Sequence, residues 1–247
     1  MTVNSIINIL LIAILVICVW QGYKKGIIMG IIEVLVIILS LYGAQLLSDT
    51  YSYEVIPVLK PFVSGYMENQ LESATYETFG YTPNDQGQYD VPRSMTDLLA
   101  EQPERRQTVV TKAYQSLGLY DTLVYTMTDR TMTYVQDNNA SLASAVSTIT
   151  CQSICWYGGL VLAFIILFTL LTVLVNLPNL SFKLPYVGIV NDIGGIGIGI
   201  FTGFLFCSIV VWVLQFAGLL LPEATLRTTG LAAFFLDQNL LANYITF

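Results

Sequence analysis

The chain has 247 residues, 55% of them hydrophobic and 11% charged, with a mean hydropathy of +0.66. That is too apolar for an ordinary soluble domain, so the expected solvent is a bilayer. The formal charge of −7 is concentrated: residues 48–152 hold six Lys/Arg against thirteen Asp/Glu, while the rest holds four of each. An acidic chain without a basic stripe is a poor match for phosphate backbones, so nucleic acid is not an expected partner. The absence of His removes the commonest general base and metal ligand, and no cofactor is expected.

Residues 1–23 carry no charged side chain, and the Ile, Leu and Val run over 3–20 is long enough to span about 30 Å of hydrocarbon as a helix. It has neither the basic start nor the small-residue cleavage site of a signal peptide, so it reads as a retained anchor. The hydrophilic Gln21-Gly22-Tyr23-Lys24-Lys25 follows as a break, and the apolar run over 26–47 predicts a second helix whose one charge is Glu33.

Residues 48–152 form the acidic segment. Amphipathic helix is predicted over 61–78 and 104–117, a turn or loop over 80–87, and helix over 119–150 leading into the next span. A third apolar helix is predicted over 154–175 and a fourth over 193–221. Between them lies a loop marked by Pro178, Lys183 and Pro185. Residues 222–247, with Leu231, Phe234, Phe235, Leu236, Leu240, Leu241 and Tyr244, read as an amphipathic helix lying in the membrane interface.

The expected fold class is therefore an all-α integral membrane protein. Two transmembrane hairpins, 1–47 and 153–221, are separated by the mostly helical insertion and followed by the interfacial helix. Lys24, Lys25 and Lys183 place the two hairpin loops in the cytoplasm, with both termini and residues 48–152 outside.

Two glycine ladders at four-residue spacing stand out: Gly22, Gly26 and Gly30 entering the second helix, and Gly195, Gly199 and Gly203 entering the fourth. Each puts its glycines on one face. That face can serve close helix packing, which in lipid depends on dispersion, or it can line a pore. Gly195-Ile-Gly197-Ile-Gly199 is not a dinucleotide loop, because Ile200 or Thr202 stands where the third glycine belongs.

Glu33, well inside a span, must pair, protonate or face water. It lies about 12 Å by helical rise from Lys25, and it is read either as a conducting or proton-linked group or as a structural polar contact. Asp192, just before the fourth helix, is expected to cap it and meet its dipole. Asn4 and Asn8 share a face and are expected to join helices. Cys18 and Cys207 read as buried apolar residues, and Cys151 with Cys155 lacks the second pair a zinc site needs. No paired carboxylates, activated nucleophile or metal cluster occurs near the spans, so no enzyme activity is expected.

Gly22-Tyr-Lys-Lys-Gly26-Ile-Ile followed by Glu33, together with Gly188-Ile-Val-Asn-Asp-Ile-Gly-Gly195-Ile-Gly-Ile-Gly199-Ile-Phe-Thr-Gly203, resembles the two signature regions of the colicin V production (CvpA) family. The resemblance covers residues 1–47 and about 154–221. It implies a four-helix bacterial inner-membrane protein involved in colicin V or bacteriocin-type toxin production or export and in envelope maintenance. A homo-oligomer or other membrane proteins would be its partners, as a channel or transporter component. The alternative is an anchored scaffold whose acidic segment binds a partner protein. Asn4, Ser5 and Asn8 stand where the family shows an acidic residue, and Asp192 and Ile193 where it often shows Arg. Without His, the protease activity of its fused members is excluded.

Overall fold

The computed structural model describes residues 3–84, 88–176, 188–217 and 222–238. They form eight α-helices: α1 (Val3–Thr78), α2 (Met95–Glu101), α3 (Arg106–Gln115), α4 (Asp121–Asn138), α5 (Leu142–Asn176), α6 (Gly188–Leu214), α7 (Glu223–Arg227) and α8 (Gly230–Gln238). Short 3₁₀ turns occupy Pro103–Arg105 and Gln215–Ala217, and no strand occurs among the described residues. Three helical stretches are long and apolar enough to cross a membrane: Ser5–Thr78, Leu142–Asn176 and Val190–Leu214. Helices of this length and apolarity, with no strand among the described residues, suggest a membrane protein.

Several boundaries differ from the sequence expectation. Gln21 to Lys25 are helical, and the break falls at Gly26, with φ 76° and ψ −178°. Side chains clash in that region of backbone space, so glycine's identity locates the break more sharply than the hydrophilic residues before it. Helix α1 does not end near residue 47 but runs to Thr78, past Asp49 and with Pro57 and Pro61 inside it. A charge ends an apolar run without ending a helix, and the helix continues through both prolines. The helix expected over 119–150 leading into the third span is two helices, α4 ending at Asn138 and α5 running from Leu142 on through the span.

Helix α6 begins by Gly188, and its α-helical part stops at Leu214 rather than 221. Asp192 is thus inside the helix and is not its cap. The expected single helix over 222–247 is instead two helices, α7 and α8, separated at Thr228 and Thr229. Leu240, Leu241 and Tyr244, and the Pro178, Lys183 and Pro185 loop, lie outside the described residues.

The chain divides into two compact units. One comprises Met1–Tyr51, Trp156–Phe216 and Leu221–Phe247, and the other Ser52–Cys155 with Ala217–Leu220. The second unit closes around a side-chain core in which Met67, Leu71, Val109, Val110, Tyr114, Val124, Met127 and Val146 pack together. Full burial of such aliphatic side chains stabilises by about 1.5–3 kcal/mol each.

Local signals end its helices. Tyr81 N–H reaches Tyr76 C=O at 2.9 Å past the left-handed Gly80, and Ser94 caps α2 through Asp97 N–H at 3.3 Å. Asn139, with φ 48°, closes α4. Tyr114 is fully buried, its hydroxyl lies 2.7 Å from that of Thr131, and burial pushes its phenol up to about 12.

In the first unit, Ile37, Ala44, Trp156, Leu160, Phe164, Ile209 and Trp212 form the core. Tyr157 and Phe216 join it, their ring centroids 3.6 Å apart. Asp49, at the end of the second apolar run, accepts from Trp156 Nε1 at 2.5 Å, and Ser48 donates its hydroxyl to the Trp156 carbonyl. Phe235 of α8 packs on Phe204 of α6 with centroids 4.9 Å apart.

Candidate functional site

The two glycine ladders meet each other. A side chain on Gly22 would strike the Gly195 carbonyl oxygen, and its Cβ would sit 2.8 Å from Gly199 Cα. One on Gly195 would strike the Gly22 carbonyl and reach 2.9 Å from Gly26 Cα, while one on Gly199 would lie 2.6 Å from the Cys18 carbonyl. Gly203 faces Leu15 and Cys18, and Gly30 faces Ile198, whose Cγ2 would be 2.9 Å from an added Cβ. Further along α6, Cys207 Sγ approaches the Leu11 carbonyl at 3.6 Å. Backbone lies against backbone here, which only residues without side chains permit.

Asn191 fixes the break. Its Oδ1 accepts from Ile27 N–H at 3.0 Å, satisfying one of the donors that a new helix leaves open after Gly26. The Asn191 amide occupies the space a Cβ on Gly26 would need, and Asn191 is buried. Sequence reasoning passed over it. The signal was nonetheless present, because residues 191, 195, 199 and 203 continue one four-residue stripe.

Beside this seam lies a cavity of about 310 Å³. Its polar lining is Gln21, Lys25, Glu33, Thr172 and Thr202. Its apolar lining includes Ile14, Ile17, Phe168 and Phe206, with Cys18, Gly22, Gly30 and Gly199 between. Lys25 Nζ donates to Glu33 Oε2 at 3.1 Å and to Gln21 Oε1 at 3.3 Å. The 12 Å expected from helical rise assumes a straight helix, and the Gly26 break removes that condition. The paired side chains keep 33% and 20% of their surface, so both charges remain open to the cavity. Of the polar lining, the sequence singled out Lys25 and Glu33. Gln21 was legible only as part of the hydrophilic break, and Thr172 and Thr202 carried no signal, because isolated hydroxyls in apolar runs usually bond their own helix.

The remaining expected site residues lie elsewhere. Lys24 Nζ sits 5.0 Å over the Trp20 ring, a cation–π contact. Asp192 is partly exposed on α6, and Lys183 lies outside the described residues. Asn8 Oδ1 is buried without a hydrogen-bond partner, and the Asn4 side chain is not among those described. The four cysteines are free thiols. Among the described residues no group of three or more His, Cys, Asp or Glu is placed to hold a metal ion. No protein-family model, curated protein or solved structure matches the chain.

Proposed function

We propose that this chain is a multi-pass component of a transport or export system in a bacterial inner membrane, of the kind the CvpA resemblance implies. One observation carries the reading: a lysine and a glutamate are held as an ion pair on the wall of an open cavity among long apolar helices. Charges are costly within a bilayer and are retained there chiefly where they serve a pathway or a ligand.

In this reading the chain has four spans, with residues 3–25 and 27–47 crossing separately. The order of contacts along α6 supports it. Asn191, Gly195, Gly199, Gly203 and Cys207 meet successively earlier residues from Gly26 back to Leu11, whereas Gly194 and Ile198 meet Ile27 and then Gly30. Those two orders run in opposite directions along one helix, as the arms of a hairpin would. Lys24 and Lys25 at its tip favour the cytoplasmic side, leaving both termini and the acidic segment outside.

Size limits what passes. The open cavity of about 310 Å³ is at the small end of small-molecule sites, too small for a peptide toxin. Export of such a cargo in this reading requires several copies or a partner protein. The scaffold reading draws on the second unit, which has a core of its own in the acidic part of the chain.

Flux separates the two. In liposomes containing the purified chain, a transport component releases small solutes above empty vesicles, and Glu33→Gln or Lys25→Gln changes that release severalfold. A chain that inserts, leaks nothing and still captures a soluble partner through residues 48–152 is a scaffold.

A further inference from the structure

We infer that the cavity is a binding site for a small zwitterion with an apolar tail, of the class of the aliphatic α-amino acids. The inference rests on the transport reading only in treating the cavity as functional. Its wall presents one ammonium and one carboxylate 3.1 Å apart, both partly open, with the Ile14, Ile17, Phe168 and Phe206 side chains lining the same space. A solute carrying both charges can align head to tail with the pair. Its carboxylate takes Lys25 Nζ and its ammonium takes Glu33, so one charge-assisted contact is exchanged for two.

A solute with one charge cannot do this, because it replaces the Lys25–Glu33 contact with a single new one and leaves the other residue without the partner it gave up. Gln21 Oε1, already 3.3 Å from Lys25 Nζ, keeps the lysine oriented as the pair opens. At about 310 Å³ the space lies at the small end of ligand cavities, roughly 300–1,000 Å³. That selects a solute of amino-acid size over a peptide.

Equilibrium dialysis of the full chain in detergent, with radiolabelled L-leucine as the probe, tests this directly. Isoamylamine keeps leucine's ammonium and tail, and 4-methylpentanoate keeps its carboxylate and tail. The expected result is saturable leucine binding, with both analogues competing at least tenfold more weakly. Glu33→Gln should bring 4-methylpentanoate to within threefold of leucine, and Lys25→Gln should do the same for isoamylamine.

Absence of saturable leucine binding to the unmodified chain, or equal competition by all three compounds, overturns the inference without reference to any variant. Leucine binding with these preferences but no flux in liposomes leaves the site standing and removes the transport reading. Flux without leucine binding does the reverse.

Discussion

The two compact units hold their helices together differently at their tightest contacts. In the unit of residues 52–155, helices meet through side chains: Tyr114, Leu71, Met67 and Val110 are buried to within 1% or less, and the apolar surface withdrawn from water supplies the attraction. In the other unit the tightest contacts involve residues that lack side chains, while Ile12, Val16, Leu35, Leu39, Leu162 and Ile166 stay on the outside, each about half or more exposed. A helix surrounded by lipid gains little from hiding such residues, so close approach and dispersion take over.

Substitutions that fill or empty these contacts break the comparison or sharpen it. The largest effect is expected for Gly195→Leu. The obstacle is the Gly22 backbone, which cannot rotate away as a side chain would, so overpacking should exceed the usual ~1–3 kcal/mol. Size-exclusion chromatography in detergent should lose the monodisperse peak, whereas Gly197→Leu, with nothing near an added Cβ, should keep it.

Tyr114→Ala comes next and tests the side-chain core. Truncating a buried aromatic costs about 3–5 kcal/mol, read as a lost or strongly lowered melting transition of the second unit. Tyr114→Phe removes the hydroxyl with its contacts to Thr131 and the Val146 carbonyl, about 1 kcal/mol per hydrogen bond, and adds a pH test. Burial raises the Tyr114 phenol to about 12 from 10, so its contribution is intact below pH 10 and is lost as pH rises toward 12, where the unfolded chain ionises first. The alkaline midpoint of the unmodified chain should therefore lie below that of Tyr114→Phe, once each is compared with its own stability at pH 8.

A smaller change is expected for Asn191→Ala. It leaves Ile27 N–H without its acceptor, a loss of about 0.5–2 kcal/mol by analogy with helix caps, seen as a lower melting temperature with the helical content unchanged. The smallest is Arg93→Ala. Its 2.7 Å pair with Glu101 is more than half exposed on both sides, and screening holds such pairs to about 0–1 kcal/mol. A shift of more than a few degrees there would mean that surface charge contributes to the second unit's fold.

The apolar runs make the helices legible in the sequence, because an unbroken stretch of Ile, Leu and Val has few alternatives to helix in lipid. Helix ends were less so. Asp49 reads as a stop and is not one, since it finds a partner in Trp156, more than a hundred residues away. Leu142 marks a helix start that no change of hydropathy announces, whereas the end at Thr78 is the one the amphipathic pattern over 61–78 predicts. At the candidate site the ladders fix the stripe but not its partner. Spacing along a helix also misjudged Lys25 and Glu33, because their 3.1 Å contact bridges the Gly26 break. Asn191 was legible only as a member of the stripe, and its bond to Ile27 N–H depends on a backbone conformation that sequence spacing does not carry.

The central claim is that the chain turns back at Gly26, so that residues 3–25 and 27–47 cross the bilayer separately. In a cysteine-free background, single cysteines at Lys24→Cys and Ala100→Cys can be challenged with a membrane-impermeant maleimide in right-side-out and inverted vesicles. The account predicts labelling from opposite faces, position 24 in inverted vesicles and position 100 in right-side-out ones; labelling of both from the same face would contradict it.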